Sequence, residues 1–320
     1  MIISNVMNSL TKDLRDIFHS DRARFELRNG ILMMVIFFVL LSYFFYHVFT
    51  LIYFHVLTLD ELKLLSTAGL RDGIYDYIIQ AVYDFGFKIF LCFVLMFLIG
   101  VHVSGFLIRP FYYLGNYCEK AIQNPDHEYE DTFFTEHRLM SRFAEFFFNH
   151  VKNVKSLEEL KEISIPKQYL GIHDPKLEKS FLLHFFLLMM VPFLATGIMI
   201  LAVTEGIMEN VYEISSHLSK DMSLQVSALQ ADFMEMNLYS LIVMSLIAYL
   251  VLGGTMYQKV SGGAFAIFLT FRSFLKGKTD SRVHLVGSRY LREHTRKINK
   301  YLEQQEKRIL STDGNRKDVS

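Results

Sequence analysis

The chain has 320 residues and no formal net charge, with 33 basic and 33 acidic side chains, so bulk attraction to nucleic acid gives no guide to function. It is 52% hydrophobic, with 30 Phe, 17 Tyr and no Trp, and its apolar residues form long runs with the charges set between them. A soluble domain of this size interleaves the two, so the pattern excludes one and points to an all-α integral membrane protein.

Residues 1–29 carry charges of both signs ahead of any long apolar run, unlike a cleaved leader. Residues 31–57 then contain no Asp, Glu, Lys or Arg, and neither do residues 89–108, 181–204 and 236–258. A helix of ~20 apolar residues crosses the hydrocarbon core, and backbone groups in lipid must pair within their own segment, so four transmembrane helices are expected. Pro192 lies inside the third and is expected to kink it. Two cysteines, Cys92 and Cys118, make no Cys-x-x-Cys unit and indicate neither a zinc site nor a disulfide.

Lys and Arg set the direction. Five precede the first span, three fall in or beside the first loop, ten in the middle loop, one (Lys220) in the third loop, and fourteen from Lys259 onward. Positive charge collects on the cytoplasmic side, so both termini and the middle loop are expected there. The chain then divides into a cytoplasmic segment (1–29), a transmembrane hairpin (30–108), a cytoplasmic unit and linker (109–179), a second hairpin (180–258), a second cytoplasmic unit (259–310) and a polar, disordered tail (311–320). In the outer loop of the second hairpin, Val211, Ile214, Leu218 and Met222 recur at helical spacing, so spans three and four are expected to continue outward as helices.

The two halves repeat. Val103-Ser104-Gly105 ends the second span, and Val260-Ser261-Gly262 ends the fourth. After the second span Phe111, Leu114, Cys118 and Ala121 share a helical face; Asn124-Pro125-Asp126 breaks it; Phe143, Phe147, Val151, Val154 and Leu157 resume. After the fourth span Ala264, Phe268, Phe271 and Leu275 share a face, Gly277 to Asp280 breaks it, and Leu291, Ile298, Leu302 and Ile309 follow. Near-heptad stripes of this kind suit a bundle core.

Arg109-Pro110 with Leu114 in the first copy, and Gly277, Arg282-Val283-His284-Leu285 and Ile298-Asn299 in the second, give the chain a pattern that resembles the HAMP domain, the two-helix relay that follows transmembrane helices in bacterial sensors. The likeness covers roughly residues 109–154 and 262–302, and Ser288-Arg289 stands where that family opens its second helix with an acidic pair. It implies a cytoplasmic helical bundle built from two HAMP-like helix pairs, multi-pass insertion in a bacterial inner membrane, and an unidentified protein partner at the cytoplasmic face. A HAMP unit normally forms its four-helix bundle from two chains. With two copies leaving the membrane in one direction, an intrachain pseudo-dimer is expected, and a homo-oligomer remains open.

Candidate relay or hinge residues are Gly105, Pro110, Gly253, Gly254, Gly262, Gly263 and Gly277; close helix packing is the competing reading for the glycines, since small residues let membrane helices approach. Ionisable residues inside the spans are histidines, and His102 and His184 both fall near the inner leaflet, where they could hold a haem iron axially. A bond from each ring to a backbone carbonyl, or a position at headgroup level, is the plainer account, and no cofactor or metal is expected. No nucleophile elbow, zinc-protease or phosphate-loop motif is present; Gly277-Lys278-Thr279 lacks the earlier glycine and the preceding strand of a phosphate loop, so no enzyme is expected. The expected function is signal relay to a separate partner. A scaffold or assembly subunit is the first alternative, and a small transporter or channel the second.

Overall fold

The computed structural model describes residues 20–61, 68–129, 138–170, 179–215, 220–285 and 287–317. These form helices α1 (Asp21–Glu61), α2 (Ala68–Gln123), α3 (Arg138–Asn153), α4 (Leu157–Glu162), α5 (Lys167–Leu170), α6 (Lys179–Ser215), α7 (Lys220–Leu275) and α8 (Arg292–Lys317), with a 3₁₀ turn at Arg289–Leu291, and no strand appears among the described residues. Most of the N-terminal segment, Leu218 of the outer-loop stripe and the tail residues 318–320 lie outside the described residues.

Four of these helices are long and apolar enough to cross a membrane, over Asp21–Leu51, Tyr83–Gln123, Leu183–Glu209 and Asp232–Leu275. The helices outrun the charge-free sequence at both ends, because backbone hydrogen bonding continues wherever residues tolerate helix, apolar or not. α8 likewise runs on to Lys317, so the disordered tail expected from Ser311 is helical as far as Lys317. Its Ser and Thr side chains close onto the preceding turn, with Ser311 and Thr312 hydroxyls both donating to the Arg308 carbonyl at 2.9 Å.

The chain forms two compact units. One consists of the described residues within Leu27–Val101 and Leu188–Gly253. Its α1 stripe of Met33, Phe37, Leu40, Phe44 and Val48 is buried at three- and four-residue steps. The outward face of the same helix carries Ile31, Val35, Phe38 and Val39, all exposed. A helix apolar on both its packed and its outer face requires an apolar surrounding, which a bilayer supplies and water does not. Gly30 and Gly100 let α1 and α2 meet backbone to backbone, since a Cβ on Gly100 would lie 2.7 Å from the Gly30 Cα. α6 runs unbroken across Pro192. The Thr196 hydroxyl donates to the Pro192 carbonyl at 2.8 Å and lies 2.9 Å from the buried Tyr249 hydroxyl, so this polar pair is satisfied in an apolar core.

The other unit comprises the described residues within Met1–Glu26, His102–Leu187 and Gly254–Ser320. It contains the ends of α2 and α7 together with α3, α4, α5 and α8. Here the expected stripes turn inward. Phe111, Leu114, Cys118 and Ala121 are buried, as are Phe143, Phe147, Val151 and Val154, then Phe268, Phe271 and Leu275, and finally Leu291, Ile298, Leu302 and Ile309. Leu157 and Ala264 are only half-buried.

Candidate functional site

The two halves of the chain touch within the second unit. α3 belongs to the first half and the end of α7 to the second, and their aromatic faces stack. Phe147 and Phe271 have ring centroids 4.0 Å apart and planes within 5°, and Phe143 and Phe268 are 4.6 Å apart and within 14°. Tyr301 of α8 meets Phe148 of α3 edge-on at 5.4 Å. Each fully buried Phe stabilises by about 1.5–3 kcal/mol through surface removed from water, with about 0.5–1.5 kcal/mol more for a well-placed ring pair.

Polar contacts join the halves as well. α3 ends at Asn153, leaving the carbonyls of its last turn without intrahelical donors. Arg308 of α8 supplies them: one guanidinium nitrogen donates to the Lys152 carbonyl at 3.1 Å, the other to the Val151 carbonyl and, at 3.4 Å, to the Val154 carbonyl. A cation at this end also complements the helix dipole. Nearer the start of α8, Lys297 reaches Glu119 of α2 at 2.9 Å and Glu293 at 3.3 Å. Glu119, and after it Glu293, hold the Lys297 ammonium above the ordinary lysine range, against the opposing effect of burial.

One turn along from Lys297, His294 seats on Gly115. A Cβ on Gly115 would lie 3.1 Å from the His294 Cα and 3.3 Å from its Nδ1. His294 is 3% exposed, meets the Tyr112 ring edge-on at 5.7 Å, and its Nδ1 has no hydrogen-bond partner among the described residues. Burial drives its pKa down to about 4; Glu293 opposes this, while Lys297 and Arg22 add to it.

The second connector is held at several points. α7 closes on Gly277, whose φ of +86° is the left-handed conformation that favours glycine. The Gly277 amide donates to the Phe274 carbonyl at 2.9 Å and the Lys278 amide to the Ser273 carbonyl at 3.0 Å, the paired bonds of a Schellman end. Asn299 of α8 then clamps Val283 from both sides: its Oδ1 accepts from the Val283 amide at 2.8 Å, and its Nδ2 donates to the Val283 carbonyl at 3.0 Å. Arg282 donates to the Thr279 carbonyl at 2.9 Å and the Ser281 carbonyl at 3.0 Å, and pairs with Glu306. The first connector has no such glycine. Its Asn124 makes an Asx turn instead, accepting from the Asp126 amide at 3.1 Å.

The remaining sequence candidates fall into different settings. Pro110 is buried within α2, which continues through it. Gly105 is half-buried, and a Cβ there would lie 3.5 Å from a Glu26 carboxylate oxygen. The four glycines of α7 sit in unbroken helix. A Cβ on Gly253 would come within 3.1 Å of the Met189 side chain, and one on Gly263 within 2.6 Å of Leu291, whereas Gly254 and Gly262 face open space. Gly253 and Gly263 are thus at close approaches, and the other two are not. His102 and His184 are both exposed, and His184 stacks on Phe106 at 5.1 Å, one turn beyond His102. No group of three or more His, Cys, Asp or Glu able to hold a metal occurs among the described residues.

Sequence reasoning passed over Gly115, Glu119, His294, Asn299 as a clamp, and Arg308. Asn299 carried a signal, standing in the motif that suggested the HAMP likeness. The others carried none, because each acts on a partner in a distant segment. No protein family, curated protein or solved structure compared with the chain matches it.

Proposed function

We propose that this protein is a signal relay of a bacterial inner membrane, with both termini and the bundle cytoplasmic, acting on a separate partner through two HAMP-like units paired within one chain. What supports the reading is that the second membrane-grade helix of each half continues without a break beyond its apolar run. α2 and α7 are each 56 residues long, and both pass from a long apolar run into the faces that meet α3 and α8. A shift or rotation of either helix would therefore load the contacts between the repeats, namely Phe147 on Phe271, Lys297 on Glu119 and Arg308 on the end of α3. Packed interfaces of this kind respond by moving between discrete arrangements rather than by deforming smoothly.

The test is a crosslink across the repeats. Glu119→Cys and Lys297→Cys are introduced together, with Cys92 and Cys118 replaced by Ala, and the protein is kept in membranes. Crosslinking rate is followed as osmolarity, lipid composition and pH are varied. A relay gives a rate that changes with at least one of these. A rate constant under all of them rejects the relay and favours the scaffold, for which the bundle need only be rigid.

A further inference from the structure

Three apolar runs of the sequence border polar segments of the second unit. In α1 the run begins at Ile31, in α2 it ends at Ile108, and in α7 it ends at Gln258. Contacts in the second unit bring the neighbouring segments together. Phe25 of α1 stacks on Tyr290 at 4.1 Å, and the Arg22 guanidinium lies over the Tyr112 ring of α2 at 5.4 Å. A Cβ on Gly263 of α7 would lie 2.6 Å from Leu291 and 3.4 Å from Phe111. The 3₁₀ turn Arg289–Leu291 follows the last apolar run by a helical segment and a connector, yet these contacts hold it against the segments that flank the runs of α1 and α7.

The turn is amphipathic. Tyr290 and Leu291 are 8% and 0% exposed, while Arg289 and Arg292 face outward, and so do Arg109 of α2 and Lys259 of α7. The acids of these segments are matched among the described residues. Glu26 pairs with Arg22 at 2.8 Å, Asp21 with Arg24 at 3.9 Å, and Glu293 with Lys297 at 3.3 Å. Among the described residues, four outward cations from three segments, Arg109, Lys259, Arg289 and Arg292, therefore remain beside the ends of the apolar runs.

We propose that this collar is a docking surface for the phosphate headgroups of anionic phospholipids, and that Arg289 and Arg292 fasten the 3₁₀ turn, and with it the start of α8, to the bilayer surface. Guanidinium groups suit the role because their planar forks match phosphate oxygens two at a time. The collar requires only that the apolar helices cross a bilayer, and it stands or falls apart from the relay.

Its test uses the full chain in phosphatidylcholine nanodiscs, with and without phosphatidylglycerol, read by hydrogen exchange at amides 289–295. Each basic residue near an anionic surface strengthens attachment roughly fivefold, so phosphatidylglycerol is expected to slow exchange there on the order of 30-fold through the two arginines. Arg289→Gln with Arg292→Gln removes that difference, whereas Arg289→Lys with Arg292→Lys keeps most of it. Unchanged protection in α3 shows that each variant is folded. Equal exchange in the two lipids overturns the proposal, as does a double-Gln variant that still responds. Inorganic phosphate added to phosphatidylcholine nanodiscs is expected to have no effect, and slowing equal to that given by phosphatidylglycerol would mark a free-phosphate site instead.

Discussion

His294 makes the docking of α8 depend on pH, and the sign follows from its surroundings. The ring is buried against Gly115 and Tyr112, with Arg22 of α1 and Lys297 of its own helix adding positive potential, and Glu293 the acid that opposes them. Its pKa falls from an ordinary 6.5 to about 4 in the folded unit, so the undocked state binds a proton more readily. The neutral ring's contribution is complete above about pH 6.5 and is lost as pH falls toward about 4. At about pH 5 the loss comes to about 2 kcal/mol, approaching about 3 kcal/mol at lower pH. Hydrogen exchange at amides 298–302, corrected for the intrinsic pH dependence, should speed up on the order of 30-fold between about pH 7 and pH 5. His294→Leu keeps the volume over Gly115 and removes the titration, so its corrected exchange should be nearly flat across that range. If the Leu variant loosens with acid as much as the parent does, His294 is not the group responsible and the pH dependence lies elsewhere.

Two further expectations concern the joints of the same unit. Arg308→Met keeps an apolar stem of similar length but strips three carbonyls at the end of α3 of their donor. Hydrogen bonds to a charged donor contribute about 1.5–3 kcal/mol, so this variant should lower the thermal midpoint, with α3 losing protection first; equal protection would show that the cap contributes nothing. Gly277→Ala forces a Cβ into a left-handed conformation and against the Lys161 side chain, which can move aside. A cost of about 1–2 kcal/mol is expected in a denaturant titration, and a midpoint that does not fall would mean the α7 end tolerates another backbone path.

The spans were legible because an unbroken charge-free run of the necessary length fits a lipid core and little else. The stripes of the second unit were legible on separate grounds. Residues at three- and four-residue steps must share a face, and Phe143, Phe147 and Val151, or Ile298, Leu302 and Ile309, do so in any helix that contains them. Phase within a stripe says nothing about the opposing helix. Neither Phe147 nor Phe271 signals that its ring will lie on the other, and Arg308 looks in sequence like one more basic residue of a charged helix. The glycines of α7 show the same limit. Four similar residues in one helix separate into two that meet a neighbour and two that face open space, and only the position of Met189 and Leu291 distinguishes them.

That limit bears on how the second unit selects one arrangement. Its interior is crowded with phenylalanine, and flat rings on parallel helices can slide by a turn at little cost in buried area. Area therefore supplies stability without fixing register. The polar contacts are less forgiving. Arg308 can satisfy the end of α3 from only one turn of α8, and Asn299 can bracket the Val283 peptide only if the connector leaves Gly277 along one path. Nearer its start, Lys297 on Glu119 and His294 over Gly115 fix α8 against α2. Moving α8 by one helical turn would leave Arg308, Asn299 and Lys297 without these partners and lift His294 off Gly115. A second packing, if the unit has one, must therefore supply new partners for Arg308, Asn299 and Lys297 and a new seat for His294, and these side chains are where a change of state should first be sought.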